Sequence, residues 1–231
     1  MILIENEKIY GWETAIRGMR NPKNSWDRSD TFFASDGSLL NGLGQNDYKL
    51  MMKLSQAGQV HGKFLRMINV AMDITAPLYW WKEFDTYKVG TVCNSCSTMH
   101  KIHSKEFTYD DFSTEHLLKV WDDEHLFVPL YEDEEDGQMV YTTPIRLLNY
   151  IMKTLNYYRK VYLETKEKKY WWQMIQLLPS SYNQRRTIQL NYAVLKNIYE
   201  YRKNHKLDEW VDFCIWIEKL PYSQLITGEL E

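Results

Sequence analysis

Long apolar runs are missing from this sequence. No stretch approaches the ~20 apolar residues that a membrane-spanning helix needs, so no membrane partner is expected. A secretory leader is not expected either, because the opening MILIENEKIYGWE is too acidic and too short in apolar length. Cysteine is scarce: the three (Cys93, Cys96 and Cys214) are an odd count with no disulfide framework, which suits a reducing cytoplasm. No sign of charge dominates, with 28 basic residues against 31 acidic ones, so no field draws the chain to nucleic acid. A glycine-rich phosphate loop, a Walker pattern and a G-x-S-x-G elbow are all absent, which sets aside Rossmann, kinase and α/β-hydrolase chemistry. There is no internal repeat, and no linker long enough to divide the chain.

What is abundant is aromatic. Nine Trp and seventeen Tyr stand in 231 residues, a length that suits a single domain over 1–231 with a real core. Met1 to Ile4 reads as a short strand turned by Glu5-Asn6. Trp12 to Met19 reads as a helix, and Ser35 to Gly44 as a loop. Asp47 is placed to cap a helix running to about Ala57, stopped by Gly58. Arg66 to Ile74 reads as a buried strand, and Pro77 as the first turn of the helix PLYWWKEF. The acidic run within Asp122 to Asp136 reads as a loop. Thr143-Pro144 is a cap with proline at the first helical position, followed by an apolar stripe of Leu148, Ile151, Leu155, Tyr158 and Tyr162. A further helix is expected from near Asn183, with Ile188, Tyr192, Leu195, Tyr199 and Arg202 on one face. A last one starts at Leu207-Asp208, aligns Trp210, Cys214 and Ile217, and ends before Pro221.

Two constellations carry candidate chemistry. Cys93, Cys96, His100 and His103 are a zinc ligand set, but all lie within eleven residues, where a structural zinc usually ties separated segments together. The alternative is a loop and helix with incidental Cys and His. The helix from Tyr79 to Lys88 interleaves rings with Lys82 and Lys88, which suits base or flavin stacking, or else a core helix with snorkelling lysines. His61 is a lone acid/base candidate. Arg185 and Arg186 are placed to clamp a phosphate, or to form a solvated face.

In order and spacing, these segments resemble the flavin-dependent thymidylate synthases (the thymidylate synthase complementing family) from about Asp47 to Leu220. The family's signature is Arg-His-Arg, seven residues, then Ser. Here the corresponding positions read Thr86-Tyr87-Lys88, then VGTVCNS, then Cys96. Downstream come Leu178-Pro179 and, twelve residues after the proline, Asn191, with Leu195, Asn197 and Arg202 following without a gap. Ala193 stands at the position of a substrate-binding arginine.

The resemblance implies an α/β (α+β) fold: a twisted, mainly antiparallel sheet flanked by long helices, in a homotetramer. It implies reductive methylation of dUMP by FAD, with NADPH and methylene-tetrahydrofolate as reductant and carbon donor. Carried over by position, Thr91 lies where a hydroxyl approaches the pyrimidine. Lys88, Asn191, Asn197 and Arg202 fall on the flavin side, and Thr86 and Tyr87 on the nucleotide side, where Arg185, Arg186 or Arg66 is the candidate to make up the missing charge from elsewhere. The loss of two guanidinium groups, at Thr86 and Ala193, opens a second reading: a non-catalytic descendant that binds another nucleotide or a protein. A zinc-stabilised interaction module is the third.

Overall fold

The computed structural model describes residues 2–118, 125–133 and 137–228. In chain order the elements are β1 (Leu3–Tyr10), α1 (Trp12–Arg20), β2 (Phe32–Phe33), β3 (Leu39–Leu40), α2 (Gln45–Gln56), β4 (Asn69–Pro77), α3 (Leu78–Phe84), β5 (Val92–Ser95), α4 (Thr98–Lys101), β6 (Val128–Glu132), β7 (Met139–Thr142), α5 (Pro144–Thr165), α6 (Lys168–Leu177), β8 (Asn183–Asn191), α7 (Tyr192–Arg202), α8 (Asp208–Glu218) and α9 (Gln224–Thr227). Two compact units emerge, one of residues 77–79 and 96–184, the other of 2–76, 80–95 and 185 onward. Among the described residues no helix is long and apolar enough to cross a membrane.

The larger unit is built on a four-stranded sheet in the order β1-β4-β8-β5. β1 runs antiparallel to β4, and β5 antiparallel to β8. Alternation decides which face is covered. On β4, Val70, Met72, Ile74 and Ala76 are buried while Asn69, Ala71, Asp73 and Thr75 are less so, because successive side chains leave a strand on opposite faces. On β8, Ile188 and Leu190 go inward and Arg185, Thr187 and Gln189 outward. Trp80, Trp81, Phe84, Trp210, Phe213 and Ile217 pack the core, each about 1% exposed or less except Phe84 at 2%. Each fully buried apolar side chain of this size contributes roughly 1.5–3 kcal/mol.

A buried ion pair locks the entry to α2. Arg20 Nε donates to Asp47 Oδ1 at 2.6 Å, and its other nitrogens donate to the carbonyls of Ser25 and Arg28, both at 3.0 Å. The second Asp47 oxygen accepts from the Ser29 hydroxyl, the Asp30 and Thr31 amides, and the Thr31 hydroxyl. Asp47 is therefore not the cap expected from the sequence. Gly44 holds the cap position, and the Asp30 carboxylate reaches in to accept from the Asn46 and Asp47 amides at 2.9 and 3.1 Å. A Cβ on Gly44 would sit 2.2 Å from Asp30 Oδ1, so glycine is needed there by close approach.

The smaller unit centres on α5 and α6. Thr143 caps α5 by accepting from the Arg146 amide, with Pro144 in the first turn, as the sequence predicts. Leu148 and Leu155 anchor a core with Ile102, Phe107, Phe112 and Met174, onto which Ile151, Tyr158 and Tyr162 pack. Asn156 clamps Phe107 by both backbone groups, accepting from its amide at 2.8 Å and donating to its carbonyl at 2.9 Å.

Further expectations change: β1 runs on through Glu5-Asn6 to Tyr10, and the loop read over Ser35 to Gly44 holds strand β3. The helix placed from Asn183 is strand β8 as far as Asn191, and the helix begins only at Tyr192. The acidic stretch read as a loop contains strand β6, paired antiparallel with β7; residues 122–124 and 134–136 of that stretch lie outside the described residues. Pro77 closes β4 rather than opening α3.

Candidate functional site

A cleft of about 480 Å³ opens in the larger unit. Its walls come from four short stretches: the end of α2 (Ser55, Gln56), the turn from Gly58 to Arg66, the loop residues Val89 and Gly90, and the first turns of α7. Each stretch is shaped locally. Gly58 ends α2 at φ 93, in the left-handed region that glycine enters without strain. Its carbonyl then accepts from the amides of His61 and Gly62, folding the chain into a tight helical turn over Gly62–Arg66. Gly90, at φ 81, brings backbone close to α7, where a Cβ would lie 3.0 Å from Asn191 Nδ2 and 3.2 Å from Val194.

Asn191 joins strand to helix. Its Oδ1 accepts from the amides of Ala193 and Val194, both at 3.1 Å, capping α7, while Nδ2 reaches the Gly90 carbonyl at 3.5 Å. From that cap, Ala193, Lys196, Asn197 and Glu200 line the cleft, following the three- and four-residue spacing of one helix face. Lys196 Nζ donates to the Ser55 carbonyl at 2.9 Å and to the Ser55 hydroxyl at 2.7 Å, and that hydroxyl donates on to the Leu225 carbonyl. Burial pushes the Lys196 ammonium pKa down, against the Glu200 carboxylate, which raises it. Thr91 follows Gly90 in the chain, and its hydroxyl oxygen is buried with no hydrogen-bond partner among the described residues.

Of the positions expected from the sequence, Asn191 and Asn197 line this cleft, while Thr91 is not among its lining residues and only follows the lining residue Gly90 in the chain. The others lie outside its walls. Arg202 Nε donates to the Tyr87 hydroxyl at 2.9 Å, its guanidinium bonds Glu83, and its carbon lies 4.7 Å from the Trp210 ring centre. Thr86 Oγ1 donates back to the Glu83 carbonyl. Arg186 pairs with Asp85 at 2.7 Å and stacks over Trp81 at 4.2 Å. Arg185 pairs with Asp73 at 2.8 Å and Glu5 at 3.4 Å. Hydrogen bonds from Thr187, Arg185 and Asn6 hold the Asp73 carboxyl well below the usual carboxylate range. Lys88 and His61 are exposed. Sequence reasoning missed Ser55, Gln56, Lys196 and Glu200. The signal available was the face of α7, on which residues 193, 196, 197 and 200 recur at helical spacing.

The cysteine and histidine cluster does not assemble. Among the described residues no group of three or more His, Cys, Asp or Glu is gathered to hold a metal. Cys93 stands on β5 opposite Ile188, with its sulfur 3.9 Å from Arg186. His103 instead packs edge-on against Tyr162. The third cysteine, Cys214, is buried, and burial pushes its thiol up to about 11, which keeps it an unreactive packing group.

No family model matches the sequence, and no curated protein does. The fold nevertheless matches solved structures. Thymidylate synthase X from Helicobacter pylori, crystallised with FAD and dUMP, is similar at a TM-score of 0.64 and 16% identity, over 99% of this chain and 98% of that one. A second structure of the H. pylori flavin-dependent enzyme, also with FAD and dUMP, gives 0.63 at 16% identity, over 100% and 99%. The UMP/dUMP methylase PolB from Streptomyces cacaoi, bound with 5-Br dUMP, gives 0.59 at 12% identity, over 99% and 95%. The architecture is therefore that of the flavin-dependent thymidylate synthases, as the resemblance implied, in a sequence that shares few residues with those structures.

Proposed function

We propose that the cleft binds a nucleotide or a flavin, and that the chain is a divergent flavin-dependent thymidylate synthase that methylates dUMP reductively to dTMP. The observation that carries this reading is the cleft itself, set in a chain whose whole length is similar in fold to proteins crystallised with FAD and dUMP. Its donor set fits such ligands. Gly58, Gly62 and Gly90 let a ring or phosphate approach backbone, Gln56, Gln59 and Asn197 offer amide groups to base edges, and Lys196 and Arg66 supply positive charge. Next in the chain to the lining residue Gly90, the Thr91 hydroxyl has no partner among the described residues and is suited to a pyrimidine carbonyl or ring N–H.

On this reading, bound FAD supplies hydride chemistry, with NADPH as reductant and methylene-tetrahydrofolate as the one-carbon source. The chain's own part is positioning. Asn197 and the Asn191–Gly90 clasp hold the ligand's plane, and Thr91 orients the pyrimidine. Lys88 and Arg202 on the flavin side, with Thr86, Tyr87, Arg185 and Arg186 on the nucleotide side, belong to the same proposal. They would act in a cytoplasmic homotetramer, in which one copy's surface meets the cleft of another. The test is direct. Purified protein should carry or take up FAD, read as flavin absorption, and dUMP should raise its melting temperature. Colourless protein that ignores both ligands would refute the reading.

A second reading keeps the pocket and drops the catalysis. Two observations favour it: Thr86 and Ala193 stand where the family has arginines, and Arg202 is tied to Glu83, Tyr87 and Trp210. Expression in a thymidine auxotroph separates the two readings, since growth without thymidine requires turnover and not binding alone.

A further inference from the structure

The two arginines that the sequence offers as a phosphate clamp, and the one it places on the flavin side, are each matched to a carboxylate of this chain. Arg185 faces Asp73 and Glu5, Arg186 faces Asp85, and Arg202 faces Glu83. A guanidinium already paired with a carboxylate has its charge largely offset and some of its five donors in use, which weakens it as an anchor for a ligand's phosphate. Ala193, on the cleft wall, offers no charge at all. The cleft therefore needs a cation from elsewhere if an anionic ligand is to stay.

Among the described residues, two cations line it. Lys196 is half-buried and held by Ser55 through two hydrogen bonds, which leaves one of its three N–H groups for a ligand. Arg66 ends the tight turn Gly62–Arg66, is exposed, and makes no ion pair or side-chain hydrogen bond among the described residues. One carboxylate, Glu200, stands on the same wall, so the lining keeps a surplus of positive charge.

We propose that Arg66, supported by Lys196, is the phosphate anchor of this cleft, and that it makes the site selective for phosphorylated ligands over their nucleosides. The inference rests on the nucleotide-binding reading above and adds the residue that supplies the charge. Arg66 enters from the turn after α2 and not from α7, so the anchor has moved to another wall of the pocket rather than vanished. Its planar fork suits two phosphate oxygens, and its exposure leaves it free to swing onto them.

The test is calorimetric titration of dUMP, deoxyuridine and FAD into wild type, Arg66→Ala, Arg66→Lys and Lys63→Ala. Lys63 lies on the same turn, is exposed and does not line the cleft, so its variant controls for loss of one positive charge. Arg66→Ala should weaken dUMP and FAD about ten- to a hundred-fold, the range for one charged hydrogen-bond set. Deoxyuridine should be unaffected, Arg66→Lys should recover part of the loss, and Lys63→Ala should match wild type. Unchanged dUMP affinity in Arg66→Ala, or an equal loss for deoxyuridine, overturns the assignment while leaving the nucleotide-binding reading intact. Wild type that binds neither dUMP nor FAD removes both.

Discussion

Asp47→Ala should cost this protein about 3–5 kcal/mol, because it strands the Arg20 guanidinium in a site that water does not reach. Both side chains are nearly inaccessible, at 3% for Arg20 and 0% for Asp47. The lone carboxylate also gathers the segment from Ser29 to Thr31 through four hydrogen bonds. Asp47→Asn keeps the shape and removes the charge, which exposes a pH signature. Burial alone would push the Asp47 carboxyl up, but the hydrogen bonds from Thr31, Ser29 and Arg20 outweigh it and hold the group below its ordinary value. A carboxylate depressed in the folded state contributes fully above its unfolded value, near 3.9, and the contribution fades as pH falls through the folded value. Urea unfolding at pH 7 and at steps down to about pH 3 should show that component in wild type and not in Asp47→Asn. A loss under about 1 kcal/mol for Asp47→Ala, or equal acid slopes in wild type and Asp47→Asn, would show that the pair is not the lock described.

Trp210→Ala is the second large effect, at about 3–5 kcal/mol. Trp210 is fully buried, and its ring centre lies 4.7 Å from that of Trp80, 5.9 Å from Tyr87 and 6.1 Å from Phe213. Its indole N–H donates to Glu83 Oε2 at 3.0 Å, the same oxygen that Arg202 binds. Removing the ring opens a cavity among rings that cannot collapse to fill it, and removes the face on which Arg202 rests. Trp210→Phe should recover most of the packing but not the bond to Glu83, and so fall between the two. Denaturant midpoints at fixed slope measure the series. If Trp210→Ala unfolds within about 1 kcal/mol of wild type, the aromatic cluster is not the centre of the core.

Elements announced by end signals were legible from the sequence. Thr143-Pro144 marked α5, and Leu207-Asp208 with Pro221 bracketed α8, because caps and prolines act locally. β8 was not legible. Ile188, Tyr192, Leu195 and Tyr199 recur every three or four residues only because a strand and a helix abut at Asn191, so a helical period ran across a junction. The strand's own alternation was masked by Arg186, an inward-facing cation made tolerable by Trp81 and Asp85. Asp47 misled for a similar reason. An acidic residue near a helix start suggests a cap, and only the fold supplies Arg20, twenty-seven residues away, as its partner. Of the site, Asn191 and Asn197 were within reach through the family resemblance, whose motif they match in position. Lys196 and Arg66 share a cleft only because α2, the turn after it and α7 converge, a non-local fact that no short window contains.

The clasp at Asn191 leaves position 193 unusually unconstrained. The helix asks that residue only for its amide hydrogen, which every amino acid except proline can give, while its side chain sits on the wall of a pocket. Scaffold and selectivity are thus uncoupled at one residue. A lineage can swap the fitting there, charged for bare, and retune which guest is welcome while the frame around it stays as it was.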